Sequence, residues 1–280
     1  MWRPTVRYLS ILTLSLFCAI AANATPLRVL MENTQATNNA IFVSSNSPTV
    51  VVTPTNTQGW STADTNAGGA VSFVADSTAP AGVGALQLTT NATTTAKAQY
   101  FHGTTTPLSG VTELSYSTKQ VSASFAGGDP AYQLATFLQG GTDGFTTLVF
   151  EPYQNPAEGA VVPGAWQSWD VDNGRFWSSK AVSCANGDIA PSQGQFMYSL
   201  AEIKAMCPSA VVIQFGVNIG SSNPSYTVET DVVNFNGTTY NFEPYSGNDC
   251  KKDGWKSLHR ADGSNFRNQG ECVQYANNGK

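Results

Sequence analysis

Six aromatic side chains fall within 28 residues, in three short stretches: Phe150-Glu151-Pro152-Tyr153, Trp166-Gln167-Ser168-Trp169-Asp170 and Arg175-Phe176-Trp177. Aromatic faces stack on the C–H faces of sugar rings, and neighbouring carboxylate and guanidinium groups accept from or donate to hydroxyls. The cluster reads as a surface for a hydroxyl-rich ligand, with Tyr153, Trp169 and Trp177 as stacking groups and Glu151, Asp170 and Arg175 as hydrogen-bonding groups. The competing reading is a core filled by large rings. Trp166 and Trp169 are an odd number of residues apart, so a regular strand sends one into the core and the other outward.

Catalytic signatures are sparse. The chain has no GxSxG, HExxH, GxxxxGK[ST] or GxGxxG motif, so nucleophile-elbow, zinc-protease and nucleotide-phosphate chemistry lose their usual carriers. His102 and His259, the only histidines, have no partner that spacing identifies. Acid pairs remain in Asp170 with Asp172 and Glu229 with Asp231. A polysaccharide lyase or glycosidase would draw first on Glu151, Asp170 and Asp172, because glycoside cleavage needs two carboxyls across a cleft. The reading leans towards a non-enzyme.

The elements that must position these residues are strands. After Gly59-Trp60, short β-type runs alternate with Gly, Pro, Asn and Asp clusters, the pattern of an antiparallel sandwich. The expected strands are 70–74, 84–89, 96–101, 113–116, 122–125, 132–139, 146–153, 166–171, 210–219, 226–235 and 239–242. In Val211-Val-Ile-Gln-Phe-Gly-Val-Asn-Ile219 the odd positions are all apolar and should face the core, leaving Gln214, Gly216 and Asn218 as a polar strip on the other face. One short helix is expected from the capping box Ser199-Leu-Ala-Glu202, ending before Pro208.

Composition agrees with a packed domain. The 280 residues are 41% hydrophobic and 12% charged, enough apolar content for a core and too little charge for a solvated disordered chain. With 14 Lys and Arg and a sequence pI near 5.0, there is no basic footprint for nucleic acid. Residues 1–24 carry Arg3 and Arg7, an apolar run from Leu9 to Ala22 and the triplet Ala22-Asn23-Ala24, the layout of a signal peptide cut after Ala24. A membrane-spanning helix would need ~20 apolar residues, longer than this run, and Cys18 lies inside it instead of at a lipidation site after it. Cleavage leaves 12 basic against 19 acidic side chains, a net charge of −7. It also leaves four cysteines. An even set in an exported chain reads as two disulfides, and local spacing favours Cys184 with Cys207 and Cys250 with Cys272 over zinc ligation.

The chain divides by pattern into the signal (1–24), a Thr/Asn-rich arm or edge strand (25–58), a β-sandwich (59–245) and a small Cys-bracketed segment (246–280). The stretches 148–153, 162–170 and 174–177, with the closing Tyr240-Asn-Phe-Glu-Pro244, resemble exported bacterial jelly-roll domains of the galactose-binding-like, carbohydrate-binding-module type. That resemblance implies an all-β, antiparallel jelly-roll sandwich with a ligand face. It also implies a structural calcium, for which Asp231-Val232-Val233 is similar to the acid-bearing final-strand segment; no other cofactor is required. The cysteine-bracketed tail is similar to a short segment that ends many exported bacterial proteins.

Together these features give a secreted, non-catalytic β-sandwich that binds a glycan or another cell-surface ligand, without nucleic acid and without membrane insertion. The rivals are the lyase or glycosidase above, and an adhesin or effector that recognises a host or surface protein through the arm or the tail.

Overall fold

The computed structural model describes residues 48–191 and 195–278. The expected signal segment with Cys18 and the expected cut after Ala24, and the arm as far as Ser47, lie outside the described residues. In chain order the strands are β1 (Thr49–Val52), β2 (Trp60–Ser61), β3 (Gly69–Ala75), β4 (Gly84–Thr90), β5 (Ala98–Pro107), β6 (Leu114–Ser122), β7 (Ala131–Gly140), β8 (Asp143–Phe150), β9 (Trp166–Asp170), β10 (Arg175–Ser178), β11 (Val182–Cys184), β12 (Gly187–Ile189) and β13 (Tyr198–Ser199). Helix α1 (Leu200–Met206), strands β14 (Val211–Ile219), β15 (Thr227–Phe235) and β16 (Thr238–Phe242), and helix α2 (Gln269–Asn278) complete the order.

Two seven-stranded sheets face each other, and the all-β sandwich expected from the strand pattern is the fold. The first sheet is branched. One edge of β15 pairs with β6, which carries β9; the other edge pairs over its first half with β4, which carries β3, and over its second with β16, which carries β1. The branch point falls at Val232, held at φ +46°, a conformation that crowds a β-branched side chain. Asp231 stitches the two branches together: its Oδ1 accepts from the Phe242 N–H (2.9 Å) and its Oδ2 from the Ala81 N–H (3.2 Å). The second sheet runs β13-β10-β8-β7-β14-β5-β2. Pairing is antiparallel except where β1 joins β16 in parallel, so the end of the expected arm is an edge strand.

The core lies between the sheets and is built from one parity of each strand. Leu114 and Tyr116 of β6, Leu134 of β7, Leu148 and Phe150 of β8, Trp169 of β9, and Phe215 and Val217 of β14 meet there. The alternation along β14 slips at a bulge between Val212 and Gln214, so Val212, not Val211 or Ile213, is buried. From Phe215 onward the expected parity holds. An extra residue opposite one partner residue shifts the register by one, which a pure alternation count does not foresee.

Both disulfides form as the spacing favoured, Cys184 to Cys207 and Cys250 to Cys272. The capping box is present: Ser199 Oγ accepts from the Glu202 N–H, and Glu202 Oε2 accepts from the Ser199 N–H at 2.7 Å. The single expected helix is joined by α2 in the tail, where Tyr245, Cys250, Phe266, Cys272 and Tyr275 make a second small core with Val83. Helix α2 is tied to the rest of the tail by the Cys272 crosslink and by contact of Tyr275 with Phe266, 5.5 Å between ring centroids. Arg260 lies over Phe266 and Tyr275, 4.6 and 5.6 Å from their centroids, and pairs with Glu271 at 2.6 Å. Residues 122–125, expected as a strand, continue β6 for one residue and then turn. Their turn builds the site.

Candidate functional site

Inward parity on β6 does not stop at the core. After Leu114 and Tyr116 come Thr118 and Gln120, still on the inner side but at the end of the sandwich where a loop closes over it. Tyr116 Oη donates to the Pro130 carbonyl (2.6 Å), Thr118 Oγ1 donates to Asp129 Oδ2, and Gln120 Nε2 donates to the Ala126 (3.0 Å) and Gly128 carbonyls. Three alternate residues of one strand thus pin residues 126–130 in place. Gly128 is required at this position, because a Cβ there would stand 2.2 Å from Tyr226 Oη.

The pinned loop forms one wall of a cleft of about 400 Å³ on the outer face of the second sheet, within the size range of small-ligand sites. Its floor follows the pairing register. Trp177 of β10 lies opposite Val149 of β8, Val149 opposite Gln133 of β7, and Asn218 of β14 opposite Gln99 of β5. The carboxamides form a directed chain: Gln133 Nε2 donates to Asn218 Oδ1 (3.1 Å), Asn218 Nδ2 to Gln99 Oε1 (3.2 Å), and Gln99 Nε2 to the Ala63 carbonyl (2.8 Å). The polar strip expected on β14 is therefore present, and Asn218 is its cleft-lining member.

Glu151 follows Phe150 at the end of β8. Since Phe150 points inward, Glu151 points outward beside Trp177, whose Nε1 donates to Glu151 Oε2 at 2.8 Å. Gln154 Nε2 donates to the same oxygen at 2.7 Å. Burial pushes the Glu151 carboxyl up, against the opposing pull of the hydrogen bonds from Trp177, Tyr153 and Gln154. Pro152 starts a 3-10 turn over Pro152–Gln154 that swings Tyr153 to the rim, where its ring meets Phe125 edge-on at 5.4 Å. Phe125 is 51% exposed and Tyr153 43%, so the two rings form an apolar rim open to solvent.

Asp129 is the second acid of the cleft. Its Oδ2 accepts from Thr118, while its Oδ1 is shielded from solvent and has no hydrogen-bond partner. Burial raises the carboxyl from the ordinary 3.8 to about 8, only partly opposed by the Thr118 hydrogen bond, so it is protonated at neutral pH. Thr118 Oγ1 in turn accepts from Trp169 Nε1 at 2.7 Å, which links the core to the cleft.

Of the six residues singled out from sequence, the structure brings together Glu151, Tyr153 and Trp177. The other three lie elsewhere. Trp169 has no exposed surface; it sits opposite Tyr116 in the core, and its neighbour Trp166 takes the outward position. Asp170 is on the outer face of the first sheet, bound by the Asn173 amide at 2.8 Å. Arg175 points to α1, where its guanidinium bonds the Met197 carbonyl and pairs with Glu202 at 3.2 Å. Asp172 accepts from the Leu114 N–H at 2.9 Å and interacts with Asp170, and both act on Glu158, so the expected acid pair forms, but Glu151 lines the cleft without either of them. His102 packs among the rings of Trp60, Phe215 and Tyr240 in edge-on and tilted contacts, and His259 is in the tail.

Asp231 does not fit a calcium site. Both of its oxygens face backbone N–H donors, whereas Ca²⁺ takes six to eight oxygens. Among the described residues no group of three or more His, Cys, Asp or Glu side chains could hold a metal. Desolvation pushes the Asp231 carboxyl well above its usual range, the mark of a structural acid at the sheet branch.

Sequence reasoning missed Asp129, Gln133, Phe125 and Tyr226. Phe125 and Asp129 stand in the turn Phe125-Ala-Gly-Gly-Asp-Pro130, where no period applies; Gly-Gly-Asp-Pro was readable only as a turn.

No family model matches the chain, and no curated protein matches it. Among solved structures it is similar to the family 11 carbohydrate-binding module of the cellulosomal cellulase Lic26A-Cel5E of Clostridium thermocellum. That likeness has 11% identity and a TM-score of 0.34, over 66% of this chain and 89% of that one. It is similar also to the family 11 module from Clostridium thermocellum in complex with a β-1,3-1,4-mixed-linked tetrasaccharide, at 11% identity and a TM-score of 0.33 over 67% and 91% of the two chains.

Proposed function

We propose that this protein is an exported, non-catalytic glycan-binding module whose ligand lies in the cleft between Trp177, Tyr153 and Phe125. The observation that carries the reading is the combination in one 400 Å³ cleft of aromatic surface with a floor of carboxamides and acids. Rings supply apolar contact to C–H faces, while Gln133, Asn218 and Glu151 supply hydrogen bonds that orient hydroxyls. The leader at residues 1–24 and the two disulfides support export into an oxidising compartment. Among the described residues no helix is long and apolar enough to cross a membrane.

The test is a glycan-array screen of the disulfide-bonded protein, repeated with Trp177→Ala. A defined set of bound glycans that disappears in the variant supports the reading. A blank array from folded protein turns the assignment towards a surface-protein ligand, with the Cys-bracketed tail as the next region to probe. Release of reducing ends or unsaturated products from a bound polysaccharide would replace the module by an enzyme.

A further inference from the structure

Asp129 and Glu151 line the cleft together, and no Lys, Arg or His lines it with them. An anionic group entering this space meets two acids and no counter-charge. A cation meets the reverse. The Asp129 carboxyl has one oxygen held by Thr118 and the other buried without a partner. Nothing inside the protein neutralises its charged form, so a positive group brought by a ligand removes the main penalty on ionising it. The rings of Tyr153 and Trp177 border the same space, and aromatic faces attract ammonium groups electrostatically.

We propose that the cleft receives a cationic group, the ammonium of an amino-substituted glycan, between the Asp129 and Glu151 carboxyls and the Tyr153 and Trp177 rings. This rests on the glycan-binding reading above and names its ligand class. The titratable group facing Asp129 is Tyr116 from β6, which also faces Glu151 at the end of β8, and Tyr153 and Tyr226 face Glu151 in turn. All three tyrosines are held above their usual range and stay neutral over this interval, so Asp129, at about 8, is the group that gains charge as pH rises from 6 to 8. Binding a fixed cation then displaces the Asp129 proton.

The test is calorimetric titration of the disulfide-bonded protein at pH 6 and pH 8. The probes are a trimethylated chitosan oligomer of permanent charge, the N-acetylated oligomer, an oligogalacturonate and tetramethylammonium chloride. With Asp129 titrating at about 8, affinity for the trimethylated oligomer should rise on the order of fifty-fold from pH 6 to pH 8. The N-acetylated oligomer should bind more weakly with no such rise, and the oligogalacturonate should not bind. Asp129→Asn should flatten the rise, although the wild-type profile is sufficient by itself. Equal affinity for the cationic and N-acetylated oligomers, or a flat profile for the former, overturns the cation assignment and leaves the glycan reading standing. Binding of tetramethylammonium with no oligomer bound keeps the cation site and overturns the glycan reading instead.

Discussion

Replacing Asp129 by Asn should change how stability depends on pH. In the folded protein Asp129 holds a proton up to about pH 8; the ordinary value is 3.8. Between those limits the unfolded chain binds fewer protons than the folded one, so stability falls as pH rises. Each unit is worth about 1.4 kcal/mol, which makes the Asp129 contribution between pH 5 and pH 7.5 roughly 3 kcal/mol. The carboxamide of the variant keeps an oxygen that accepts from Thr118, as Oδ2 does, and does not titrate. Urea unfolding of both proteins at the two pH values, disulfides intact, isolates this contribution as the difference between their pH dependences. The wild type should lose about 3 kcal/mol more than Asp129→Asn over that interval. Parallel pH profiles would show that Asp129 ionises normally, and with it the account of the loop pinned by β6 would fail.

Other expectations concern residues the structure removes from the site. Trp169→Ala should destabilise the fold by about 3–5 kcal/mol in urea titrations, as large-to-small core changes do; a loss of glycan binding at unchanged stability would place the ring outside the core. Treatment with EDTA should leave the melting temperature unchanged, because Asp231 is occupied by backbone donors, and a drop of several degrees restored by calcium would reinstate a metal. The double change Cys250→Ser and Cys272→Ser should free the tail for proteolysis. Its stability should fall by about 3 kcal/mol, the chain-entropy value for a loop of this size; an unchanged digestion pattern would show that the small core around Phe266 holds without the crosslink.

Much of the scaffold is legible in the sequence because strand parity and turn residues are local. The two disulfides, the capping box at Ser199 and the core parity of β14 from Phe215 onward could be read in this way. The site was only partly legible. Glu151, Tyr153 and Trp177 meet because β8 and β10 pair in a register that puts Trp177 opposite Val149, and register between distant strands leaves no trace in either strand alone. Trp166 and Trp169 could be assigned to opposite faces but not to particular ones, since β9 alone does not say which side its sheet buries. Asp129 is the instructive omission. Its importance arises from Thr118, eleven residues away, and from burial beneath a turn whose sequence signals only a turn.

The most direct test of the central claim is titration of wild-type protein and Trp177→Ala with the best glycan from the array. The account predicts that Trp177→Ala keeps the wild-type melting temperature to within a few degrees and loses at least tenfold in affinity. Undiminished binding by folded Trp177→Ala would contradict it.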